Sequence, residues 1–177
     1  MGGIVCSTEN VKYHALDDQG LDVRDRLYKG NFDSLDYHTF AGVMTYAKCV
    51  NVYDGDTCSL VFYYRGEPIK VHFRMNGYDS PEMKPSLSIP NRDRHIAAAH
   101  AAKMYLERVI LGRVLYVVFT KEEKYGRLMG DIFLNRDDSM SINSLMINSG
   151  HGKEYKGAKK GEFTTAELDR ILFSPSS

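Results

Sequence analysis

Residues 46–75 read YAKCVNVYDGDTCSLVFYYRGEPIKVHFRM, and this stretch decides the fold. The runs 46–52, 58–64 and 69–75 are rich in β-branched and aromatic residues, the types that suit a pleated, half-buried surface. Between them stand Asp54-Gly55-Asp56 and Arg65-Gly66-Glu67-Pro68, both made of turn formers. The pattern predicts a three-stranded antiparallel meander.

Outward from the meander, a Pro-studded loop over 80–90 leads to 93–111, where Ile96, Ala99, Tyr105, Leu106, Val109 and Ile110 recur at helical spacing. Asp93 is the expected N-cap, and Gly112 stands past the end. Residues 114–120 read as a buried strand and 130–134 as another, linked by 121–129. Five short strands with one helix between the third and fourth is the order of an OB barrel. A short helix over 141–148 stops at Gly150; a last one starts at Thr164, which has capping-box spacing to Glu167, and ends before Pro175. The expected class is α+β, a five-stranded OB-fold β-barrel with about three α-helices packed on it. Residues 1–40 are polar, mixed in charge and without a sustained period, so an N-terminal extension is expected there and the domain over 41–177.

The 177 residues, 43% apolar and 26% charged, suit one such domain plus an extension. Lys and Arg number 23, as do Asp and Glu, so no overall positive field attracts a polyanion and any such binding must come from a local cluster. Cys6, Cys49 and Cys58 are too few and too scattered for a disulfide framework, which points to a reducing, intracellular compartment. No secretory leader is expected in the chain, and no stretch approaches the roughly 18 apolar residues of a membrane span. Gly2 and Cys6 in Met1-Gly2-Gly3-Ile4-Val5-Cys6-Ser7 match in part a pattern for dual acylation, an expectation of peripheral membrane attachment, although that pattern wants Ser or Thr where Cys6 stands. No unpaired amphipathic helix or heptad seam demands a partner, so a monomer is expected.

The chemistry is concentrated at two points. Asp54 and Asp56 lie at the tip of the first hairpin, and Asp79-Ser80-Pro81-Glu82 follows the third strand. Each point alone reads as ordinary turn chemistry. In a meander, however, the first hairpin and the end of the third strand can meet on one side of the barrel, crowding carboxylates at a cost that a cation would offset. Oxygen-only ligands suit a hard ion such as Ca²⁺ and not Zn²⁺. Arg74, five residues before Asp79, and Arg127 in Lys124-Tyr125-Gly126-Arg127 would set two guanidinium groups beside that ion, which is the chemistry of a phosphate site.

From about 46 to 156 the chain resembles the staphylococcal nuclease (thermonuclease) family. It carries in order Asp54-Gly55-Asp56-Thr57, Phe73-Arg74 with Asp79-Ser80-Pro81-Glu82, Lys124-Tyr125-Gly126-Arg127, and Ile142-Asn143 leading to Gly150. The resemblance implies a Ca²⁺ ion held by Asp56, Asp79 and the backbone carbonyl of Ser80, with Asp54 assisting through water. It implies that Glu82 orients or deprotonates the attacking water, and that Arg74 and Arg127 bind the scissile phosphate. It implies hydrolysis of DNA and RNA on the 5′-oxygen side, leaving 3′-phosphate ends, with little sequence preference. By the same resemblance Lys124, Tyr125 and Tyr155 contact substrate, and the basic stretch from Lys153 through Lys156, Lys159 and Lys160 would add backbone contacts. The alternative is a catalytically silent nucleic-acid-binding module on the same barrel; that reading predicts erosion of the carboxylates and arginines, and all of them are present.

Overall fold

A computed structural model of the chain describes residues 27–34, 38–122, 126–155 and 161–174. The chain divides into Met1–His38 and Thr39–Ser177. In the first unit residues 27–29 form a helical turn, and the Asp33 N–H donates to Asn31 Oδ1 at 3.0 Å.

The second unit is built on the meander. Strands β1 (Met44–Val52), β2 (Thr57–Tyr64) and β3 (Glu67–Met75) pair antiparallel in succession. Arg65 and Gly66 both take positive φ, 52° and 88°, the two-residue hairpin geometry whose twist matches that of the strands it joins. The turn is therefore shorter than its composition suggested, and Glu67 and Pro68 belong to β3. After a two-residue strand β4 (Tyr78–Asp79), helix α1 (Arg92–Ile110) crosses to β5 (Val114–Glu122), which returns to β6 (Leu128–Phe133). β6 pairs parallel with β3 and antiparallel with β5, and β5 pairs with β1, closing the barrel in the order β1-β2-β3-β6-β5. Helices α2 (Ile142–Asn148) and α3 (Thr165–Phe173) follow, making three helices among the described residues of this unit. This is the α+β OB-type barrel expected.

Alternation along the strands sends Cys49, Leu60, Phe62, Phe73, Leu115, Val117, Phe119 and Ile132 inward. Rings of Phe40, Phe62, Phe73 and Phe119 meet inside at centroid distances of 5.2–6.1 Å, edge-on or tilted, contacts worth about 0.5–1.5 kcal/mol each beyond their buried area. Cys49 and Cys58 are free thiols in this core. α1 presents Ala98, Ala99 and Ala102 as a small-residue face; Ala98 and Ala102 pack with Leu168 and Ile171 of α3.

The caps follow the sequence with one exception. Thr164 and Glu167 form the capping box, and Gly112 and Gly150 take positive φ past the ends of α1 and α2. At the start of α1 the N-cap is Asn91, not Asp93. Asn91 is left-handed at φ 55°, a conformation its short polar side chain tolerates, and its carbonyl accepts the first helical bonds from Arg94 and His95. Asp93 lies within the first turn, where its charge favours the helix N-terminus. No helix among the described residues is long and apolar enough to cross a membrane.

Candidate active site

The β1–β2 turn is positioned by one missing side chain. A Cβ on Gly55 would stand 2.7 Å from Ser80 Cβ and 2.9 Å from Ala102 Cβ, so only glycine lets the hairpin tip sit against both the Ser80 side chain and α1. Tyr78, wholly buried, donates its hydroxyl to the Gly55 carbonyl at 2.7 Å and ties the same turn to β4. Burial, and after it the Asp56 charge, pushes the Tyr78 phenol well above its ordinary range, so it stays a donor. Asp54 closes the turn locally, its Oδ1 accepting the Asp56 N–H at 3.0 Å.

This packing brings together residues far apart in sequence. The β2–β3 register sets Thr57 opposite Arg74. One terminal nitrogen of the Arg74 guanidinium lies 3.1 Å from Asp56 Oδ2 and also donates to Asp79 Oδ1. Asp56 Oδ1 accepts the Thr57 hydroxyl at 2.8 Å, and Asp56 Oδ2 accepts the Ser80 N–H at 3.3 Å. All three charged groups are nearly excluded from solvent, so the pair of carboxylates is held together by a buried cation, without which each would pay its full desolvation cost.

β7 (Lys153–Glu154) completes the surround by pairing with β4, Asp79 opposite Lys153, and the Tyr155 N–H donates to the Gly77 carbonyl at 2.9 Å. Lys153 is directed at the start of α3. Its Nζ donates to the Glu162 carbonyl at 2.7 Å, lies 3.5 Å from Glu167 Oε2 and sits 4.3 Å over the Phe163 ring. Beside Asp79 and Ser80 opens a cavity of about 210 Å³ that Glu82, Ile89, His95 and Phe163 also line.

Of the residues singled out in the sequence, Asp56, Arg74, Asp79 and Ser80 therefore form one buried cluster. Asp54 belongs to the same turn, and Glu82 is exposed on the adjoining cavity. Arg127, partly buried, immediately precedes β6, whose Met129 is the register partner of Arg74. Lys124, Tyr125, Lys156, Lys159, Lys160, Gly2 and Cys6 lie outside the described residues. The reading from sequence assigned no part to Tyr78, to Thr57 or to the crowding at Gly55. A motif shows a glycine; only packing shows what a methyl group there would strike.

The donors suit a hard cation in type, since all are oxygens. Yet among the described residues no three His, Cys, Asp or Glu side chains gather to hold a metal ion. The side-chain set is the Asp56–Asp79 pair, and the crowding expected of four carboxylates is met here by two with an arginine between them.

A closed OB-type barrel with an arginine held between two aspartates beside its first hairpin defines the class, a nuclease-like domain. The chain belongs to the family described as staphylococcal nuclease homologue, whose model matches residues 72–171, more than half of its length. Members of that family are generally nuclease hydrolases on a nucleic-acid-binding fold, and the family is calcium-dependent. A comparison with curated proteins gives no match. The matched stretch begins within β3, so Asp54 and Asp56 precede it; the hairpin register and the Gly55 contact bring them to it.

Proposed function

We propose that this chain is a calcium-dependent endonuclease that hydrolyses the 5′-oxygen–phosphorus bond of DNA and RNA with little sequence preference, leaving 3′-phosphate ends. The observation that carries the reading is the buried Arg74 guanidinium between Asp56 and Asp79. Two carboxylates and a guanidinium shielded from water form a preorganised electrostatic site, in which each charge acts far more strongly than at an exposed surface.

Asp56, Asp79 and the Ser80 carbonyl would hold the ion, with Asp54 acting through water. When bound, calcium supplies positive charge to a phosphoryl oxygen of the substrate. Arg74 and Arg127 donate to the phosphoryl oxygens as negative charge builds on them; losing one such donor commonly costs about 10² to 10³ in rate. Glu82 orients the water that attacks phosphorus or takes its proton, the 5′-oxygen leaves and takes a proton from water, and the phosphate stays on the 3′ side. Support comes from the family match, from the Asp56–Arg74–Asp79 cluster, and from the position of Glu82 on the cavity that Asp79 and Ser80 line. Tyr155, half-buried beside the β4–β7 pair, and Lys124 and Tyr125 are proposed substrate contacts, and Gly2 and Cys6 proposed acylation sites on a monomeric enzyme.

The test is digestion of single-stranded DNA with Ca²⁺, with Mg²⁺ and with chelator, for the wild type, Glu82→Gln and Arg127→Ala, scoring rate and the position of the terminal phosphate. Calcium-dependent cleavage to 3′-phosphate ends that collapses in both variants is expected. A folded wild type that binds DNA and never cuts it would make the chain a silent binding module.

A further inference from the structure

The outer wall of the barrel carries two rows of side chains that the site does not use. On β1, β2, β3 and β5 the outward positions alternate with core positions, and the register lines them up across the strands. One row runs Val114, Lys48, Val61, Lys70, each opposite the next. In the adjacent row Tyr116 stands opposite Tyr46, ring centroids 5.5 Å apart, and Tyr63 stands opposite Pro68, two residues along β2 from Val61 on the same face. Tyr46 and Tyr63 are 56% and 74% exposed. The outward positions of β1 and β2 hold no carboxylate, and on β3 Lys70 and His72 precede Arg74, whose own charge is met by the buried Asp56 and Asp79, so the positive charge of the wall is that of Lys48 and Lys70. In a chain of zero net charge this is a local positive wall.

The wall lies on the same side of β3 as Arg74. Lys70, His72 and Arg74 share one face of β3 at every second residue; at about 3.4 Å per residue Lys70 is roughly 14 Å from Arg74, a span of at most about four nucleotides at the 3.4 Å spacing of a stacked strand. We propose that this wall is the track for the single-stranded arm of the nucleic acid whose phosphate Arg74 holds, an inference that rests on the nuclease reading of that site. Tyr46 and Tyr63 stack bases; Lys48 and Lys70, two strands or about 10 Å apart, take phosphates of the same arm. Stacking is indifferent to base identity, because every base has a π-face, and phosphate contacts carry no sequence information, so the track adds affinity without specificity. A second copy docked through the same face by a two-fold axis would set lysine row against lysine row, which disfavours self-association.

The test uses Lys48→Gln/Lys70→Gln and Tyr46→Ala/Tyr63→Ala, all at exposed positions, with thermal melting of each variant showing that it is folded under the assay conditions. Binding of a labelled 20-residue oligothymidylate is read by fluorescence anisotropy in EDTA over roughly 50–200 mM salt, and KM for that strand and for a dinucleotide is read in calcium. Each pair of substitutions is expected to weaken the oligonucleotide about tenfold or more. The lysine pair should also remove about 1.4 from the slope of log affinity against log salt, at ~0.7 per phosphate contact on a single strand. The KM advantage of the long strand over the dinucleotide should shrink in both. Unchanged affinity and slope overturn the track, and so does a loss of self-association in sedimentation without a change in oligonucleotide binding. A wild type that binds through this wall and never cuts sinks the nuclease reading and leaves the track standing; one that cuts both substrates as its variants do sinks the track alone.

Discussion

A methyl group added at position 55 is expected to drive Asp56 away from Asp79. The Cβ of Gly55→Ala would lie 2.7 Å from Ser80 Cβ and 2.9 Å from both Ser80 Oγ and Ala102 Cβ, against about 3.5–4.0 Å for ordinary carbon contact. None of these neighbours is the free end of a long side chain. Ala102 is fully buried on α1, and the Ser80 N–H is engaged by Asp56. The turn must therefore retreat by about 1 Å, against the Tyr78 hydroxyl that holds its carbonyl. Overpacking of this kind costs about 1–3 kcal/mol, a fall of roughly 3–10 °C in Tm for a domain of this size. A 1 Å misplacement among reacting groups costs on the order of 10² in rate. The assay is thermal melting in chelator with cleavage of single-stranded DNA in calcium. Gly55→Ala/Ser80→Gly, which removes two of the three crowding atoms and keeps the Ser80 carbonyl, should recover part of both losses. A Gly55→Ala protein that melts and cuts like wild type would refute the close-approach argument.

Asn143→Ala should cost about 2–4 kcal/mol, read as a lower urea midpoint with unchanged m, because the buried Asn143 accepts from the Ile132 N–H at 3.1 Å and donates to the Asn76 and Gly130 carbonyls at 2.8 and 3.0 Å, and truncation removes all three bonds, leaving the Gly130 carbonyl only its bond from the Asn76 N–H; a change below about 0.5 kcal/mol would mean water replaces the side chain. His151 lies stacked on Tyr105 at 4.0 Å, and burial, then the Arg108 charge, holds its pKa below 6.5 despite its bond to Ser149. The unfolded chain then takes up the proton first, so this contribution to stability is complete above pH 6.5 and falls as pH is lowered below it, by at most ~1.4 kcal/mol per unit; His151→Gln should lose less stability than wild type between pH 7 and 5, and parallel curves would exclude the effect. Calcium at about 100 times its Kd should stabilise the wild type by ~2.7 kcal/mol, and Asp56→Asn should abolish the Tm shift; a wild-type Tm that ignores calcium would remove the ion from the Asp56–Asp79 pair.

Local chemistry made much of the molecule legible. The hairpins, the long helix and the capping box at Thr164 depend on residues within a few positions of one another, and strand alternation at 58–64 assigns Phe62 and Leu60 to one face. The start of α1 escaped because Asn91 and Asp93 suit a cap about equally by residue type, and the chain, leaving Pro90, turns through a left-handed Asn91. The pairing of β4 with β7 escaped because each strand has two residues, too few for any period to show. The groups around Arg74 were legible as residue types in a motif order, but their distances were not.

By itself the sequence determined which segments become strands and helices, that Ca²⁺-type oxygen donors and guanidinium groups are present, and that any polyanion site must be local, because propensity, alternation and charge count are properties of neighbours and of composition. The tertiary structure alone decided that β6 lies parallel to β3, that Asn143 clamps α2 to both, that Gly55 meets Ser80 and Ala102, and that Arg74 stands between Asp56 and Asp79. These are contacts across 11 to 67 positions of chain or between strands that never touch in sequence, and their energies exist only once closure of the barrel has excluded water from the space between them.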